Sequence, residues 1–382
     1  MRVMWIWHAA VVAEYRKPLA ELGQHDDLDL VLLTPKRWPE RAGQMVYAEA
    51  DEAGAPYQTV CARTLFTGFY YIYMFPSLLY QLLKYRPDVV YCYEEAHTFI
   101  AACVLFLCRV FLPDSRVLLY AAQNIKKRYP IPFRLFERYC FKRADAILAC
   151  GTRVAATLRS KGYRGDLHVV AIPTDAHAFA PDVDKRTQWR QQLGLPDDAL
   201  VTGYAGKLVE EKGLRTLLRA FGDVALTHSR AHLALAGGGP LHDELRSTAA
   251  EMGIADRVHL VGIIHNTDLP GFMNALDVFV LPSETRSNWR EQFGRVAVEA
   301  MACGVPVIGS DSGEIPTVLG DAGLVFQEGD RDGLARQLSC LLAAPDERTR
   351  LSVAGRERVV RLFSVEQVAR RHYELYKQYN ER

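Results

Sequence analysis

Six short apolar stretches in the first half of the chain alternate with segments of helical length, and the second half repeats this alternation. The first six are RVMWIW, LDLVLLT, DVVYCY, RVLLYA, DAILAC and LHVVAIP, and the second six are LVTGYAG, HLALAGGG, RVHLVG, VFVLPS, VPVIGS and AGLVFQEG. Near-continuous apolar strands joined by helices are typical of parallel sheets that are covered on both faces. The sequence therefore predicts an α/β protein with two doubly wound, Rossmann-like domains.

The length supports the same division. A chain of 382 residues suits two hydrophobic cores better than one. The stretch 173–184, PTDAHAFAPDVD, is rich in Pro, Asp and Ala and is interpreted as the linker. We expect a first domain over residues 1–177, a second over 178–362 and a closing segment over 363–382.

The composition favours a soluble protein in a reducing environment. The apolar share of 49% and the charged share of 24% are ordinary for a globular protein. Eight cysteines occur without CxxC spacing, which favours reduced thiols in a cytoplasmic protein over a disulfide or zinc framework. The start lacks the long apolar region of a signal peptide. We expect no nucleic-acid partner.

Charge is shared unevenly between the two halves. Residues 1–180 hold 22 Lys and Arg against 17 Asp and Glu, whereas the remainder holds 24 against 28. Two segments, 64–85 and 98–112, are apolar or aromatic, but both are too interrupted or too short to span a bilayer. The second is interpreted as a core helix, with membrane contact as the alternative.

Two lysines follow the strand LVTGYAG, where a loop leads into a helix. Lys207 and Lys212 in KLVEEKG suit a diphosphate, because ligands of open α/β sheets bind at the carboxyl ends of strands and helix N-termini favour anions. The alternative is a solvated charged loop in which Glu210 and Glu211 pair with these lysines.

Two glycine-containing turns follow the next strands. The turn Gly237–Gly239 would let the backbone at Gly238 approach a ligand closely, although any tight turn also uses glycine. Gly262 and Ile263 could offer backbone groups to a flat base.

A pair of glutamates follows the strand VFVLPS in EQFGRVAVE. Glu291 precedes the expected helix start at Phe293 and Gly294, and Glu299 lies about one and a half turns into that helix. Carboxylates accept paired hydrogen bonds from vicinal diols, and a buried carboxylate without partners is costly. These residues thus suit a sugar or ribose, and the alternative is a structural ion pair with Arg290 or Arg295.

The order of these motifs resembles one family. EQFGRVAVE is similar to the EX7E element of retaining glycosyltransferases of the GT-B fold, particularly family four. GKLVEEKG, AGGGP, VFVLPS, EAMACGVPVIGSDSGEIP and DAGLVF follow in the family's order across residues 200–330. The final FSVEQVARRHYELYKQY resembles the family's closing helix, which crosses back to the first domain.

The resemblance implies transfer of a sugar from a nucleotide-diphosphate sugar in a central cleft, with retention of the anomeric configuration. It implies that Glu299 binds the donor ribose and that Lys207 and Lys212 hold the diphosphate. Glu291, Phe293 and the amides of Gly294 and Arg295 would hold the donor sugar. The nucleotide sugar is expected as donor substrate, with no cofactor and no metal ion.

Three positions depart from the family's pattern. Relatives usually have Arg in place of Lys207, a glycine pair after the first strand, and a histidine after the strand DVVYCY. Here the last two regions contain His8 with two alanines and Glu94, Glu95 and His97. The candidate residues of the first domain are therefore His8, Glu94, Glu95 and His97, each with a structural role as the alternative.

A basic segment, residues 124–145, suggests a membrane-borne acceptor. It combines seven Lys and Arg residues with Tyr129, Phe133, Phe136, Tyr139 and Phe141. Such a surface suits anionic lipid, and the alternative is that the aromatics are core contacts. We expect a glycan or lipid-linked acceptor, a role in cell-surface polysaccharide or glycolipid synthesis, and a cytoplasmic protein with a peripheral membrane position as an open option.

Two other functions share this architecture. A sugar-nucleotide epimerase would release an epimerised nucleotide sugar without an acceptor. A catalytically silent binding module would turn over no donor at all.

Overall fold

The computed structural model describes residues 1–39, 44–51 and 54–382. The chain divides into two compact units. The first consists of Met1–Pro173 together with Val365–Arg382, and the second consists of Thr174–Ser364. The boundaries between the units thus lie after residues 173 and 364. The sequence predicted them after residues 177 and 362.

The first unit is built on a parallel sheet. The strands described in this unit are β1 (Arg2–Ile6), β2 (Asp29–Pro35), β3 (Arg37–Pro39), β4 (Met45–Tyr47), β5 (Gln58–Ala62), β6 (Val89–Cys92), β7 (Arg116–Ala121), β8 (Ala146–Ala149) and β9 (Asp166–Val169). The order in the sheet is β5-β2-β1-β6-β7-β8-β9, and β3 and β4 form a separate antiparallel pair. In register, Met4 of β1 lies between Val31 and Val90.

Helices cover both faces of this sheet. They are α1 (Lys17–Leu22), α2 (Leu78–Tyr85), α3 (Phe99–Phe111), α4 (Phe133–Arg143) and α5 (Thr152–Ser160). Successive residues of β1 enter different cores, with Met4 and Ile6 in one and Val3 and Trp5 in the other. This alternation follows from the two-residue period of a strand and explains why β1 is apolar throughout.

The second unit repeats this plan. Its helices and strands, in chain order, are α6 (Val183–Gln192), β10 (Leu200–Ala205), α7 (Leu214–Thr227), β11 (Ala231–Ala236), α8 (His242–Glu251), β12 (Val258–Gly262), α9 (Leu269–Asn274), β13 (Val278–Leu281), α10 (Arg295–Ala302), β14 (Val307–Ser310), α11 (Ile315–Leu319), β15 (Leu324–Phe326), α12 (Arg331–Ala343) and α13 (Pro345–Leu362). The parallel sheet has the order β12-β11-β10-β13-β14-β15. The prediction of two doubly wound α/β halves is confirmed.

The closing helix α14 (Val365–Asn380) packs against the first unit. Its residues Val368, Leu375 and Tyr376 share a core with Val3 and Trp5 of β1. The expected return of this helix to the first domain is confirmed, and the apolar face of α14 explains it, since an amphipathic helix must bury that face.

The basic segment differs from its prediction in where the aromatic rings lie. Phe136, Tyr139 and Phe141 pack against the core of the first unit, and Tyr129 is buried. The structure supports the alternative that these aromatics are core contacts, because α4 covers the sheet and directs Phe136, Tyr139 and Phe141 inward. Membrane contact of this segment stays a prediction. The exposed apolar residues here are Ile131 and Leu135.

None of the helices in the described part of the chain combines the length and the hydropathy needed to cross a bilayer. The eight cysteines are free thiols.

Candidate functional site

The residues predicted to bind a donor lie at the carboxyl ends of strands in the second unit. The loop with Lys207 and Lys212 follows β10, the glycine turn follows β11, and Ile263 follows β12. Glu291 lies in the loop after β13, and α10 carries Glu299. Because these strands are parallel, their carboxyl ends share one edge of the sheet.

Lys212 and Glu291 form the central ion pair of this edge. The distance from Lys212 Nζ to Glu291 Oε2 is 2.6 Å, and the Ser283 hydroxyl donates to the same oxygen at 2.8 Å. The Lys212 ammonium also lies 4.8 Å from the centre of the Trp289 ring, within the range of a cation–π interaction. Lys212 thus pairs with Glu291, which the charged-loop alternative did not include.

Glycine holds the Lys212 loop against the end of β13. Gly213 has a φ of +64°, and a Cβ at this position would lie 1.9 Å from the carbonyl oxygen of Pro282. It also caps α7, so Lys212 directly precedes a helix N-terminus, where anions are favoured.

The helix start after Glu291 lies where the sequence predicts it. Gly294 has a φ of +84° and is the N-cap of α10, and Phe293 is buried against the Phe363 ring. A left-handed cap suits glycine, because side chains with a Cβ rarely adopt this conformation. Arg295 is the first residue of the helix.

Glu299 is the most unusual carboxylate of the second unit. It is 5% exposed, and Arg295 Nε lies 3.1 Å from its Oε1. Its Oε2 accepts no hydrogen bond from any described residue. Burial raises the pKa of Glu299, and the Arg295 charge opposes the rise only in part. The predicted ion pair with Arg295 therefore exists, yet it leaves one buried oxygen without a partner.

Lys207 and Ile263 lie at the outer part of the same edge. Lys207 is exposed and, among the described residues, forms no ion pair. Its loop is fixed where the Leu208 amide donates to the Gly238 carbonyl at 2.9 Å. Ile263 is 84% exposed, and its side chain would lie 3.0 Å from a Cβ at Gly238. The exposed apolar side chain of Ile263 therefore lies next to the half-buried backbone of Gly238.

In the first unit, the structure joins His8 and Glu94. His8 Nδ1 lies 2.6 Å from Glu94 Oε1, and the His8 amide donates to the same oxygen at 3.1 Å. The Tyr73 hydroxyl donates to it as well, at 2.7 Å. Glu94 is 1% exposed, and its Oε2 accepts no hydrogen bond from the described residues.

Glu95 and His97 lie beside this cluster but have other partners. Glu95 Oε1 accepts from the amides of Ala122 and Gln123 at 2.7 and 2.9 Å. Burial nevertheless raises the pKa of Glu95 to about 7. His97 stacks on Tyr129 with ring centres 4.0 Å apart, and burial lowers its pKa to about 3, so the ring is neutral. Both side chains are held by the fold of the first unit.

Sequence reasoning missed several partners in both units. Ser283 directly follows VFVLP, so the strand-end rule that singled out the lysines could have found it. Trp289 lies between the two motifs without a distinguishing pattern. Tyr73 and Trp38, whose rings lie 5.8 and 4.8 Å from His8, are distant in sequence and gave no signal.

No group of three or more His, Cys, Asp or Glu side chains that could hold a metal ion occurs within residues 1–39, 44–51 and 54–382.

Comparison with solved structures defines the fold class. Sucrose-phosphate synthase from Thermosynechococcus elongatus aligns over 99% of this chain and 98% of its own, with a TM-score of 0.73 and 23% identity. The chain has the GT-B fold of glycosyltransferases.

Comparison with protein families gives a match within the second unit. Residues 185–358 match the family model described as Glycosyl transferases group 1. The matched residues include the Lys212–Glu291 pair and Glu299.

Two curated relatives are similar over part of the chain. GDP-mannose-dependent alpha-(1-6)-phosphatidylinositol monomannoside mannosyltransferase of Mycolicibacterium smegmatis is 37% identical over 186 residues, which are 48% of this chain and 48% of that protein. The lipopolysaccharide core biosynthesis glycosyltransferase LpsE of Rhizobium meliloti is 31% identical over 238 residues, 62% of this chain and 65% of that protein. The matched region thus spans about half of the first relative's length and just under two thirds of the second's.

Proposed function

We propose that this protein is a retaining, metal-independent glycosyltransferase that moves a sugar from a nucleotide-diphosphate donor to an acceptor hydroxyl. The observation that carries this proposal is the buried Oε2 of Glu299, which has no hydrogen-bond partner among the described residues and lies in the region that matches the Glycosyl transferases group 1 model. A buried carboxylate oxygen without a partner is costly, and a donor hydroxyl would remove that cost.

Different residues of the second unit bind different parts of the donor. Glu299 binds the ribose diol. Glu291, Phe293 and the amides of Gly294 and Arg295 hold the sugar at the N-terminus of α10. The exposed Ile263 and the backbone at Gly238 suit the flat base, since apolar contact and backbone groups together recognise such rings.

Lys207 and Lys212 hold the diphosphate. An ammonium group has three donors, so Lys212 can keep its bond to Glu291 and still contact a phosphate oxygen. As the bond to the sugar breaks, negative charge grows on the diphosphate. The two lysines and the N-terminus of α7 stabilise that charge, and this stabilisation lowers the barrier.

The proposed reaction needs no protein nucleophile. The acceptor hydroxyl attacks the anomeric carbon from the face that the diphosphate leaves, and the departing phosphate oxygen takes the acceptor's proton. Retention of configuration follows from attack on that face. The lysines supply the positive charge that another enzyme would take from a metal ion.

We assign the acceptor to the first unit. The buried Glu94 carboxylate fixes the orientation of His8, because it bonds both the ring nitrogen and the amide of that residue. The other ring nitrogen of His8 is the group that we propose meets a sugar hydroxyl. The half-buried Glu95 and the buried His97 support this region.

The names of the relatives suggest the acceptor class. One names a phosphatidylinositol mannoside and the other the lipopolysaccharide core, so we infer a glycan or lipid-linked acceptor in polysaccharide or glycolipid synthesis. On α4, Leu135, Arg138 and Lys142 are exposed and share one face by their spacing. This face combines an apolar side chain with two cations and suits peripheral contact with anionic lipid.

The test is an incubation of the purified chain with radiolabelled UDP-, GDP- and ADP-sugars, starting with GDP-mannose, in the presence of a membrane extract. Transfer of label to an extract component, with retained configuration, supports the proposal. An epimerised nucleotide sugar formed without the extract would identify an epimerase instead. No turnover of any donor would contradict catalysis.

A further inference from the structure

We propose that the first unit has a binding site for a phosphate or diphosphate group of the acceptor, in a cavity lined by Lys36, Arg37 and Arg63. This inference deepens the proposed function and rests on it for the identity of the acceptor. The cavity has a volume of about 650 Å³, within the size range of small-molecule sites.

The cavity lies at the carboxyl ends of two neighbouring strands. Lys36 directly follows β2, and Arg63 directly follows β5. The Lys36 amide donates to the Ala62 carbonyl at 2.9 Å, and the Ala48 amide donates to the Lys36 carbonyl at 2.9 Å. The backbone that carries the cations is therefore fixed, although their side chains are exposed.

The described residues that line the cavity carry positive charge without an acidic counterpart. No acidic residue occurs among the described residues that line it, and none of the three cations forms an ion pair within the described part of the chain. The nearby carboxylate of Asp51 is already bonded to Arg16 and to the Thr59 hydroxyl. Three like charges around one cavity repel one another, so an anion would relieve the repulsion as well as bind.

The remaining lining groups suit an oxyanion. Thr64 and Thr67 line the cavity, and their hydroxyl oxygens lie 2.6 Å apart, so one of them bonds the other. Hydroxyls, an ammonium and two guanidinium groups are all donors to phosphate oxygens, and a guanidinium can contact two of these oxygens at once. Cys61 also lines the cavity, and burial raises the pKa of its thiol, which therefore adds no competing negative charge.

The cavity adjoins the His8–Glu94 cluster. Trp38 follows Arg37 in β3, and its ring centre lies 4.8 Å from that of His8. In the sheet, β1 pairs with β2 and β2 pairs with β5, so His8, Lys36 and Arg63 follow three adjacent strands at one edge. An acceptor held by its phosphate in this cavity would therefore extend its sugar past Trp38 toward His8.

The first experiment measures binding of inorganic pyrophosphate to the full-length chain. Lys212→Ala serves as the background, because it weakens the proposed diphosphate site of the second unit. Adding Arg63→Ala should weaken the remaining affinity about tenfold, the scale of a lost charge-assisted contact. Adding Arg336→Ala, which removes an exposed arginine of α12, is the matched control and should change nothing. Equal affinity with and without Arg63 would overturn the proposal.

A second pair of measurements distinguishes two sources of the phosphate. If Arg63→Ala weakens both the binding of the protein to phosphatidylglycerol vesicles and its affinity for pyrophosphate, the site binds a lipid headgroup. Unchanged vesicle retention with weakened pyrophosphate binding assigns it to a soluble phosphorylated acceptor. Both outcomes support the site.

The transfer assay separates failure of this site from failure of the proposed function. If Arg63→Ala raises the KM for the acceptor and leaves that for the donor unchanged, the cavity holds the acceptor. If transfer occurs but phosphatase treatment of the acceptor and Arg63→Ala both leave it unaffected, the cavity has no role and the glycosyltransferase assignment stands. If no donor is turned over, the glycosyltransferase assignment fails, and the pyrophosphate titration still decides whether the cavity binds phosphate.

Discussion

The carboxyl edges of the two sheets hold their polar side chains in different ways. In the second unit, Lys212 and Glu291 are already paired, and one oxygen of Glu299 accepts no hydrogen bond within the described ranges. In the first unit, His8, Glu94 and Tyr73 form a hydrogen-bonded cluster, and the cations around the neighbouring cavity form no ion pair with any residue that the structure describes. We therefore propose different ligands for the two edges: hydroxyls and a diphosphate for the second, and a group that carries its own negative charge for the first.

The largest expected effect tests the charge of the second edge. Lys212→Ala should lower kcat roughly a hundredfold to a thousandfold and raise the donor KM much less, because charge on the leaving diphosphate grows in the transition state. Steady-state kinetics with the donor found by the panel would measure this. Arg219→Ala, an exposed arginine of α7, is the control. A change confined to KM would show that Lys212 only assists docking.

The next effect tests the Glu95 carboxylate through the pH dependence of stability. The folded pKa of Glu95 is raised to about 7 from 4.5, so its contribution to stability is complete below pH 4.5 and is lost as pH rises through 7. Relative to Glu95→Gln, the wild type should lose on the order of 3 kcal/mol of unfolding free energy between pH 4.5 and pH 8.

Chemical denaturation of both proteins across this range would measure the difference. The comparison with the variant is needed because His97 also contributes to the pH dependence. Its pKa is lowered to about 3, so its contribution to the unfolding free energy rises between pH 3 and pH 6.5 and opposes that of Glu95. A difference between wild type and Glu95→Gln that stays constant with pH would contradict the raised pKa of Glu95.

A smaller effect tests the unpartnered oxygen of Glu299. Glu299→Ala should weaken donor binding by roughly 1 to 3 kcal/mol, the scale of hydrogen bonds to a charged group. The fold should survive, since the change removes a buried charge whose desolvation is only partly compensated by Arg295. Calorimetric titration with the donor measures the change, and Glu251→Ala at the end of α8 is the control. Unchanged affinity in a folded Glu299→Ala protein would refute the ribose assignment.

The smallest effect concerns the exposed face of α4. Each cation near an anionic surface contributes about 1 kcal/mol, which decreases with salt, so Arg138→Ala should reduce flotation with anionic vesicles at low salt. Neutral vesicles and Arg336→Ala provide the two controls. Recovery of the wild type in the soluble fraction with both lipids, at any salt concentration, would redirect the acceptor search to soluble sugars.

Many site residues at the edge of the second sheet could be predicted, because their positions depend on spacing within a single loop or helix. The start of α10 at Gly294 and the position of Glu299 within the helix follow from spacing along a few turns. The loop residues Lys207 and Lys212 follow directly from the end of β10. The pairing of Lys212 with Glu291 could not be predicted, because these residues are brought together only when β10 and β13 become neighbours.

The sequence by itself determined the two parallel α/β units, the family resemblance of the second one and the return of α14, since apolar period and motif order are properties of the linear chain. Tertiary structure alone decided that His8 meets Glu94, that Tyr73 and Trp38 surround them, and that the aromatic side of α4 faces inward. It also placed Lys36 and Arg63 around one cavity. The physical reason is that a parallel sheet places strands side by side in an order different from the chain's, so residues following β1 and β6 become neighbours across 86 positions.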